Sequence, residues 1–421
     1  MATEEGSERG EHVAIEGGDT AWVMVSTALV FIMTPAVAFF YGGMLRKQNM
    51  LSILGQSIII LGMVTLIWVT VGFSLSFGAF KDPFIGNLDW TMLKGVGASP
   101  IDSYAPTIPG ILFMMFQGMF AIITVALITG GIAERMKLRA LVIFLFVWTL
   151  LVYIPVAHWV WGGGWIWQLG ALDFAGGTVV HITAGVSVLA AVLVLGKRIS
   201  ITNGGTETPH NIPFVVLGGA LLWMGWFGFN GGSALGSGAI AANAFVVTHI
   251  AAATAAVVWG MISWLHLGRP GVLGMISGAI AGLVAITPAS GYVDVSGAIS
   301  IGMGAGAFCY GGILLRRKLG FDDALDVFGV HGVGGTWGAI ATGLFATSSI
   351  NPVVTNNGLL YGGGLTLLGA QIIAVAAVWA FAFAITFVIM HVLKRVMSIR
   401  MSKMEERIGA DIIQHGESAY S

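Results

Sequence analysis

The sequence predicts an all-α polytopic membrane protein with eleven transmembrane helices, arranged as two inverted five-helix repeats plus a peripheral eleventh helix, N-terminus outside and C-terminus inside. Composition, run length and the sorting of basic residues carry this reading. Of 421 residues, 56% are apolar and only 9% charged, with a mean hydropathy of +0.88, whereas soluble proteins average about 25% charge. Apolar runs such as Leu138 to Val152 are continuous, without the apolar-polar alternation of outer-membrane barrel strands. Disorder and a coiled coil are excluded by the same scarcity of charge. Cys309 is the only cysteine, so there is no disulfide scaffold, and a net charge of -1 provides no basic field for nucleic acid. The 62 glycines point to helices packed backbone to backbone.

A spanning helix needs about 20 mostly apolar residues. Eleven stretches qualify, at 21–44, 50–79, 109–132, 140–161, 174–195, 212–235, 243–266, 271–289, 297–315, 325–346 and 359–393. Alternating loops then sort the basic residues. Sixteen fall inside: Arg46, Lys47, Arg135, Lys137, Arg139, Lys197, Arg198, Arg269, Arg316, Arg317 and Lys318, with Lys394, Arg395, Arg400, Lys403 and Arg407. Only three, Arg9, Lys81 and Lys94, fall outside, and this bias sets the orientation.

Residues 1–19 read as an external acidic tail carrying Glu4, Glu5, Glu8, Glu11, Glu16 and Asp19, without the basic n-region of a signal peptide. The first repeat covers 20–195, a cytoplasmic linker 196–211, the second repeat 212–346, and an external loop with the last helix 347–393. Residues 394–421 form a polar cytoplasmic tail suited to docking on the protein's own loops or on a soluble partner.

The repeat rests on two similarities. Phe39-Phe40-Tyr41-Gly42-Gly43 ends the first span, and Phe227-Gly228-Phe229-Asn230-Gly231-Gly232 lies in the sixth. Asp173-Phe174-Ala175-Gly176-Gly177 leads to His181 in the fifth, and Asp326-Val327-Phe328-Gly329 leads to His331 in the tenth. A five-helix unit repeated in tandem crosses the membrane in the opposite sense, which places sites near the midplane between the halves.

Polar groups inside spans are functional candidates because burying them in lipid is costly. His181 and His331 enter from opposite sides and are placed to meet near mid-membrane. Two neutral imidazoles can share one proton, since each has one donor and one acceptor nitrogen. Two separate buried histidines, each satisfied by a backbone carbonyl, are the alternative. A metal site is disfavoured because no third nitrogen, thiolate or carboxylate joins them. Asp173 and Asp326 sit at helix starts, where carboxylates cap backbone N–H groups. The remaining histidines form no ligand-spaced cluster.

Around the outer end of the fourth span, His158-Trp159-Val160-Trp161-Gly162-Gly163-Gly164-Trp165-Ile166-Trp167 reads largely as an interfacial aromatic belt. Trp161 can additionally offer its ring face to a cation. Phe116 and Phe120 share a helical face, as do Phe229 and Ser233. That spacing fits packing as well as a gate. No phosphate loop, zinc-protease motif or charged intramembrane pair is present, so the chain does not read as an enzyme, and no cofactor or metal is expected.

Longer stretches resemble a known family. Phe116-Gln117-Gly118 with Ala133-Glu134-Arg135, Ala157-His158-Trp159-Val160-Trp161-Gly162-Gly163-Gly164, and Asp173 through His181 are similar to ammonium transporter signatures. So are Trp226-Phe227-Gly228-Phe229-Asn230, Asp326 through Gly332, and the tail's Asp411-Ile412-Ile413-Gln414-His415-Gly416-Glu417. In order, and over nearly the whole chain, these resemble the Amt/Mep/Rh group; Trp161 before the glycines resembles the Amt/Mep branch.

The resemblance implies a homotrimer in the plasma membrane with a separate pore through each subunit, conducting ammonium and methylammonium. Trp161, Phe116, Phe120 and Ser233 would recruit the cation, Phe120 and Phe229 would gate, and His181 and His331 would line the pore. Asp173 would brace the vestibule, and a trimeric PII-type protein would bind the cytoplasmic face. A partner-coupled ammonium sensor on the same fold is the main alternative. An intramembrane metalloenzyme and Rh-like conduction of a neutral gas are further alternatives, the latter disfavoured by Trp161.

Overall fold

In the computed structural model, which describes residues 14–78, 82–202 and 208–420, helices dominate and no strand occurs among the described residues. The first thirteen residues of the expected tail, and Lys81, lie outside the described residues. In chain order the principal helices are α1 (Gly17–Met44), α2 (Lys47–Phe77), α3 (Gly110–Ile132), α4 (Leu138–Gln168), α5 (Gly177–Leu195), α6 (Ile212–Gly232) and α7 (Ala239–Leu267). They continue with α8 (Val272–Ile286), α9 (Val295–Leu319), α10 (Phe328–Gly332 joined to Val333–Phe345) and α11 (Thr366–Val396). Among the described residues, nine of these are long and apolar enough to cross a membrane; α8 is a shorter apolar helix, and α10 is assembled from a π segment and an α segment.

Local chemistry explains where the elements begin and end. Asn211 caps α6 by accepting from Phe214 N at 3.0 Å, and Asp294 caps α9 by accepting from Gly297 N at 2.8 Å. Gly268 and Gly320 close α7 and α9 in the left-handed region. Some boundaries differ from those read from sequence. The stretch expected at 271–289 ends at Ile286, just ahead of Pro288, which has no N–H with which to continue the helical ladder. The last helix begins at Thr366 instead of 359, after Gly362 and Gly364 turn the chain with φ of 83° and 68°. The regular helix of α4 breaks at Trp161, where Gly162, Gly163 and Gly164 follow.

Glycines bring particular helix pairs into backbone contact. Along α6, a Cβ at Gly218 would lie 2.4 Å from Phe40 N, and one at Gly228 would lie 2.9 Å from Ser26 O, both on α1. Between α5 and α10 the approach is reciprocal. A Cβ on Gly185 would lie 2.2 Å from Gly332 N, and one on Gly335 would lie 2.8 Å from Gly177 O. Each of these two glycines stands four residues after a histidine, His181 or His331.

At one end the charged residues converge. Arg198 bonds Asp322 through two contacts of 2.8 and 2.9 Å and Glu134 at 2.8 Å, with all three side chains at most 3% exposed. Burial opposes ionisation of Asp322, but the Arg198 hydrogen bonds and the Arg135 charge outweigh it and hold the carboxyl down at about 2. The C-terminal tail docks here on the first turns of α2 and α4 and on the chain at Ile199. Asp411 accepts from Ser52 N at 2.7 Å and Leu51 N at 3.1 Å, Gln414 accepts from Leu138 N, and Glu406 accepts from Ile199 N at 3.1 Å.

Candidate conduction site

The site is a line of aromatic and imidazole rings between α3, α5, α6 and α10. Phe116 and Phe120, one turn apart on α3, meet edge to face with centroids 5.0 Å apart. Phe120 stands at 90° to Trp161 at 5.8 Å and lies against Phe229 at 4.3 Å. Trp161 is held by its indole N–H, which donates to the Asp173 carbonyl at 2.8 Å. Ser233, one turn after Phe229, donates its hydroxyl to the Phe229 carbonyl at 2.8 Å. Phe116, Phe120 and Phe229 are buried, while Trp161 and Ser233 remain half-buried, so the ring line begins in a partly open region.

Beyond Phe229 the histidines follow. His181 stacks on Phe229 at 6.0 Å and on Trp226 at 5.4 Å, and Trp226 is fixed by its N–H donating to Thr287 at 2.8 Å. His181 and His331 meet Nδ1 to Nδ1 at 3.2 Å. Such a contact is a hydrogen bond only if one ring carries the Nδ1 proton and the other does not. The two Nε2 atoms then have opposite character, one accepting and one donating. His181 Nε2 is buried with no hydrogen-bond partner. Among buried polar atoms such orphans are rare.

Both histidines lie in π segments, Gly177–Ile182 and Phe328–Gly332, at the starts of their helices. Such widened turns interrupt the regular ladder and recur at functional positions. The carboxylate of Asp173 holds the first one. Its Oδ1 accepts from Gly176 N at 2.9 Å and Gly177 N at 2.6 Å, and its Oδ2 accepts from Thr178 N at 2.7 Å, the Thr178 hydroxyl and Val179 N at 3.3 Å.

At the second π segment the capping carboxylate is Asp323, not Asp326. Asp323 Oδ2 accepts from Phe328 N at 2.7 Å, whereas the Asp326 side chain turns to Arg316. Residue spacing signals this: Asp323 precedes His331 by eight residues, as Asp173 precedes His181, while Asp326 precedes it by five. Asp326 adopts φ 57°, a left-handed turn that directs the chain into the helix.

Two cavities adjoin the histidine pair. A small one of about 20 Å³, room for about one water-sized molecule, is lined by Phe229, Trp226, His181 and His331 with apolar residues of α1 and α3. A wider one of about 630 Å³ begins at His331, Tyr41 and Val330 and extends past Lys197, Arg198, Asp322 and Asp326. No group of three or more metal-ligating side chains occurs among the described residues.

Trp226, Asp323, Tyr41 and the Glu134–Arg198–Asp322 cluster were not singled out by residue type. The eight-residue spacing was the available signal for Asp323. For Trp226 the only signal was its place in the Trp226–Asn230 stretch that resembles the family; by residue type a tryptophan in an apolar run is indistinguishable from packing.

Comparison with known proteins gives the lineage. Residues 21–420 match the model of the Ammonium Transporter Family. The chain is 50% identical over 404 residues to an ammonium transporter of Bacillus subtilis, covering 96% of this chain and 98% of that one. It is 46% identical to ammonium transporter Amt1 of Archaeoglobus fulgidus, covering 96% and 99%. Among solved structures it resembles Saccharomyces cerevisiae Mep2 with a TM-score of 0.87 at 36% identity, covering 93% of this chain and 89% of that one. A sensor Amt protein gives a TM-score of 0.87 at 28% identity, covering 94% and 98%. With its ring line, its histidine pair and a match over nearly its whole length, the chain belongs to the ammonium transporter family.

Proposed function

We propose that this protein carries ammonium across the plasma membrane through the ring line, with methylammonium as a second substrate. The observation that supports this most directly is the His181–His331 contact at 3.2 Å beneath the Phe120–Phe229 pair. Trp161, with Phe116, Phe120 and Ser233, recruits the cation: aromatic faces attract it, and the half-buried hydroxyl adds a polar contact. Passing the apolar gate of Phe120 and Phe229 requires shedding water, and a small cation keeps little of its solvation in a cavity of about 20 Å³. Giving up a proton to the bare Nε2 of the histidine pair just beyond the gate lowers that cost. Neutral ammonia then meets one Nε2 that donates and one that accepts; the two roles exchange with both rings neutral only when the bare Nε2 takes up a proton, the Nδ1 proton shifts across the pair, and the other Nε2 releases its proton. Potassium has no proton to give, so size similarity to ammonium does not help it.

The remainder of the reading concerns assembly. Eleven spans, with the N-terminus outside and the C-terminus inside, follow from the sorting of basic residues, and the inverted five-helix repeat is supported by the reciprocal glycines after each histidine. A homotrimer and a PII-type partner on the face where the tail docks complete it. The similarity to a sensor Amt protein favours one second reading, in which the same ring line reports ammonium to a partner. Uptake of labelled methylammonium by cells expressing the chain separates the two: a sensor gives none above background.

The mechanism is tested in proteoliposomes. His181→Ala is expected to lose selectivity for ammonium over potassium. Unchanged selectivity would refute the paired-histidine role. On solid-supported membranes, a transient current that scales with the ammonium pulse shows that charge crosses.

A further inference from the structure

His158 lies on α4, one turn before Trp161, and is fully buried. Both of its ring nitrogens meet backbone carbonyls. Nδ1 is 2.9 Å from the Ser76 oxygen at the end of α2, and Nε2 is 2.9 Å from the Asp82 oxygen in the loop that follows. A carbonyl oxygen can only accept, whereas a neutral imidazole has one nitrogen that donates and one that accepts. A neutral ring therefore serves one of these carbonyls and sets a bare lone pair against the other. A ring protonated at both nitrogens serves both. The His181–His331 contact is different, because there nitrogen meets nitrogen and both rings can be neutral.

The surroundings suit such a charge. Burial opposes it, but the regular helix ends at Trp161, so His158 occupies the last turn, where the aligned carbonyls favour a cation. Hydrogen bonds from a charged donor are also about twice as strong as neutral ones. The acidic side chain of this stretch, Asp82, accepts from Phe84 N at 2.7 Å and Ile85 N at 3.3 Å, and His158 has no ion pair among the described residues. Tyr104, a second titratable group at this turn, donates its hydroxyl to the Gly162 carbonyl at 3.1 Å. The turn grips three successive carbonyls: Asp82 through His158, Pro83 through Trp165 N at 3.0 Å, and Phe84 through the Trp159 indole at 2.8 Å. Of these three donors, His158 is the one that also reaches α2, so it ties both sides of the loop to the turn.

We propose that His158 is protonated at both ring nitrogens and, as a buried imidazolium, clamps the end of α2 and residues 82–84 onto the turn that presents Trp161. His158 is then a positioning residue. It acts through the backbone from which the Trp161 ring projects toward Phe120. Loss of the charge leaves one carbonyl unserved and frees one side of the loop, so the aromatic recruiting site loosens while the histidine pair beyond the gate is unchanged. This consequence rests on the proposed transport function; the protonation of His158 does not.

The charge is read on the full wild-type chain in lipid vesicles, without any variant. Ala157-His158 is the only Ala-His step in the sequence. Alanine labelled with carbonyl 13C and histidine labelled with 15N therefore mark the His158 amide alone, and solid-state NMR correlates that amide with its own ring nitrogens. At about pH 8, where an ordinary histidine is neutral, both His158 ring nitrogens are expected at protonated shifts. One unprotonated ring nitrogen would overturn the proposal. Methylammonium uptake by proteoliposomes reads the consequence. His158→Gln offers an uncharged amide to one carbonyl, and its half-saturation concentration is expected to rise about tenfold, the equivalent of one hydrogen bond to a charged group, with the maximal rate little changed. Trp159→Phe removes the bond to the Phe84 carbonyl and keeps both His158 bonds, so its shift is expected to be smaller. An unchanged half-saturation in His158→Gln, a fall in maximal rate alone, or a larger shift in Trp159→Phe would overturn the positioning role. A neutral His158 ring with normal wild-type uptake overturns this inference alone; a doubly protonated ring without any wild-type uptake overturns the transport reading alone.

Discussion

Replacing Asp173 by asparagine is the most informative single perturbation, because one carboxylate closes the first π segment and its own carbonyl positions Trp161. Oδ1 serves Gly176 N and Gly177 N, and Oδ2 serves Thr178 N, the Thr178 hydroxyl and Val179 N. Asparagine retains one acceptor oxygen. Whichever way its amide is turned, the NH2 faces at least two backbone N–H donors that lose their partner. Hydrogen bonds to a charged group contribute about 1.5–3 kcal/mol each, so losing two costs about 3–6 kcal/mol before relaxation. For a chain of this size, each kcal/mol moves the melting temperature by roughly 1–2 °C, which gives a drop of about 3–12 °C. The assay is thermal denaturation in detergent, read beside methylammonium flux in proteoliposomes. Flux is expected to fall more than the melting temperature alone explains, because the loosened turn releases the Trp161 indole, which bonds the Asp173 carbonyl at 2.8 Å. Thr178→Val removes a single donor and leaves the carboxylate intact, so its effect is smaller on both readouts. A melting temperature within about 1 °C of wild type and unchanged flux would show that the carboxylate does not hold this turn.

Three further substitutions probe other parts of the molecule. Gly185→Ala puts a methyl group 2.2 Å from Gly332 N, where only backbone can yield, so flux is expected to be lost and the melting temperature lowered; Gly62→Ala, with nothing within 4 Å, leaves both unchanged. Arg198→Met takes from the buried Glu134 and Asp322 their shared guanidinium, leaving Glu134 with Arg46 and Asp322 with Arg135, and is expected to cost up to about 3 kcal/mol in denaturation experiments; a stability equal to wild type would show that the cluster is dispensable. At Asp323, burial and then the neighbouring Asp326 push the carboxyl up to about 7. Its stabilising contribution is complete below the unfolded value of about 3.9 and is lost as pH rises through about 7. Wild type should therefore melt lower at pH 8 than at pH 6, and Asp323→Asn should flatten that difference.

The sequence announced the solvent and the principal helices because apolar runs and the sorting of basic residues are properties of the bilayer, which acts on every residue of a span alike. That Phe116 shares a face with Phe120, and Phe229 with Ser233, was legible as well, because spacing by one helical turn fixes it; Trp161 stood out only by the three glycines after it. What could not be read was how faces turn toward one another. Trp226 became a ring stacked on His181 only once α5 and α6 were side by side. The charges of Glu134, Arg198 and Asp322, drawn from three separate loops, form one cluster that no local pattern anticipates. Short motif similarity points to Asp326, whereas a capping carboxylate has to reach a fixed distance along the turn it closes, which Asp323 does.

That register carries a physical asymmetry. Asp173 and Asp323 each precede a histidine by eight residues, yet Asp173 accepts five hydrogen bonds and Asp323 leaves Oδ1 without a partner. A carboxylate that accepts five bonds is held rigidly; one left with a buried, unpartnered oxygen prefers its proton. The two ends of the ring line therefore differ in kind. The end at Trp161 is held by a fully hydrogen-bonded carboxylate that stiffens the turn. The end beyond His331 opens into a cavity of about 630 Å³ beside a carboxyl that titrates near neutrality. On the proposed function, a repeat that makes the two halves alike in backbone has been differentiated in its carboxylates. The reciprocal glycines keep the histidines at hydrogen-bonding distance, while Asp173 and Asp323 distinguish the entrance from the exit.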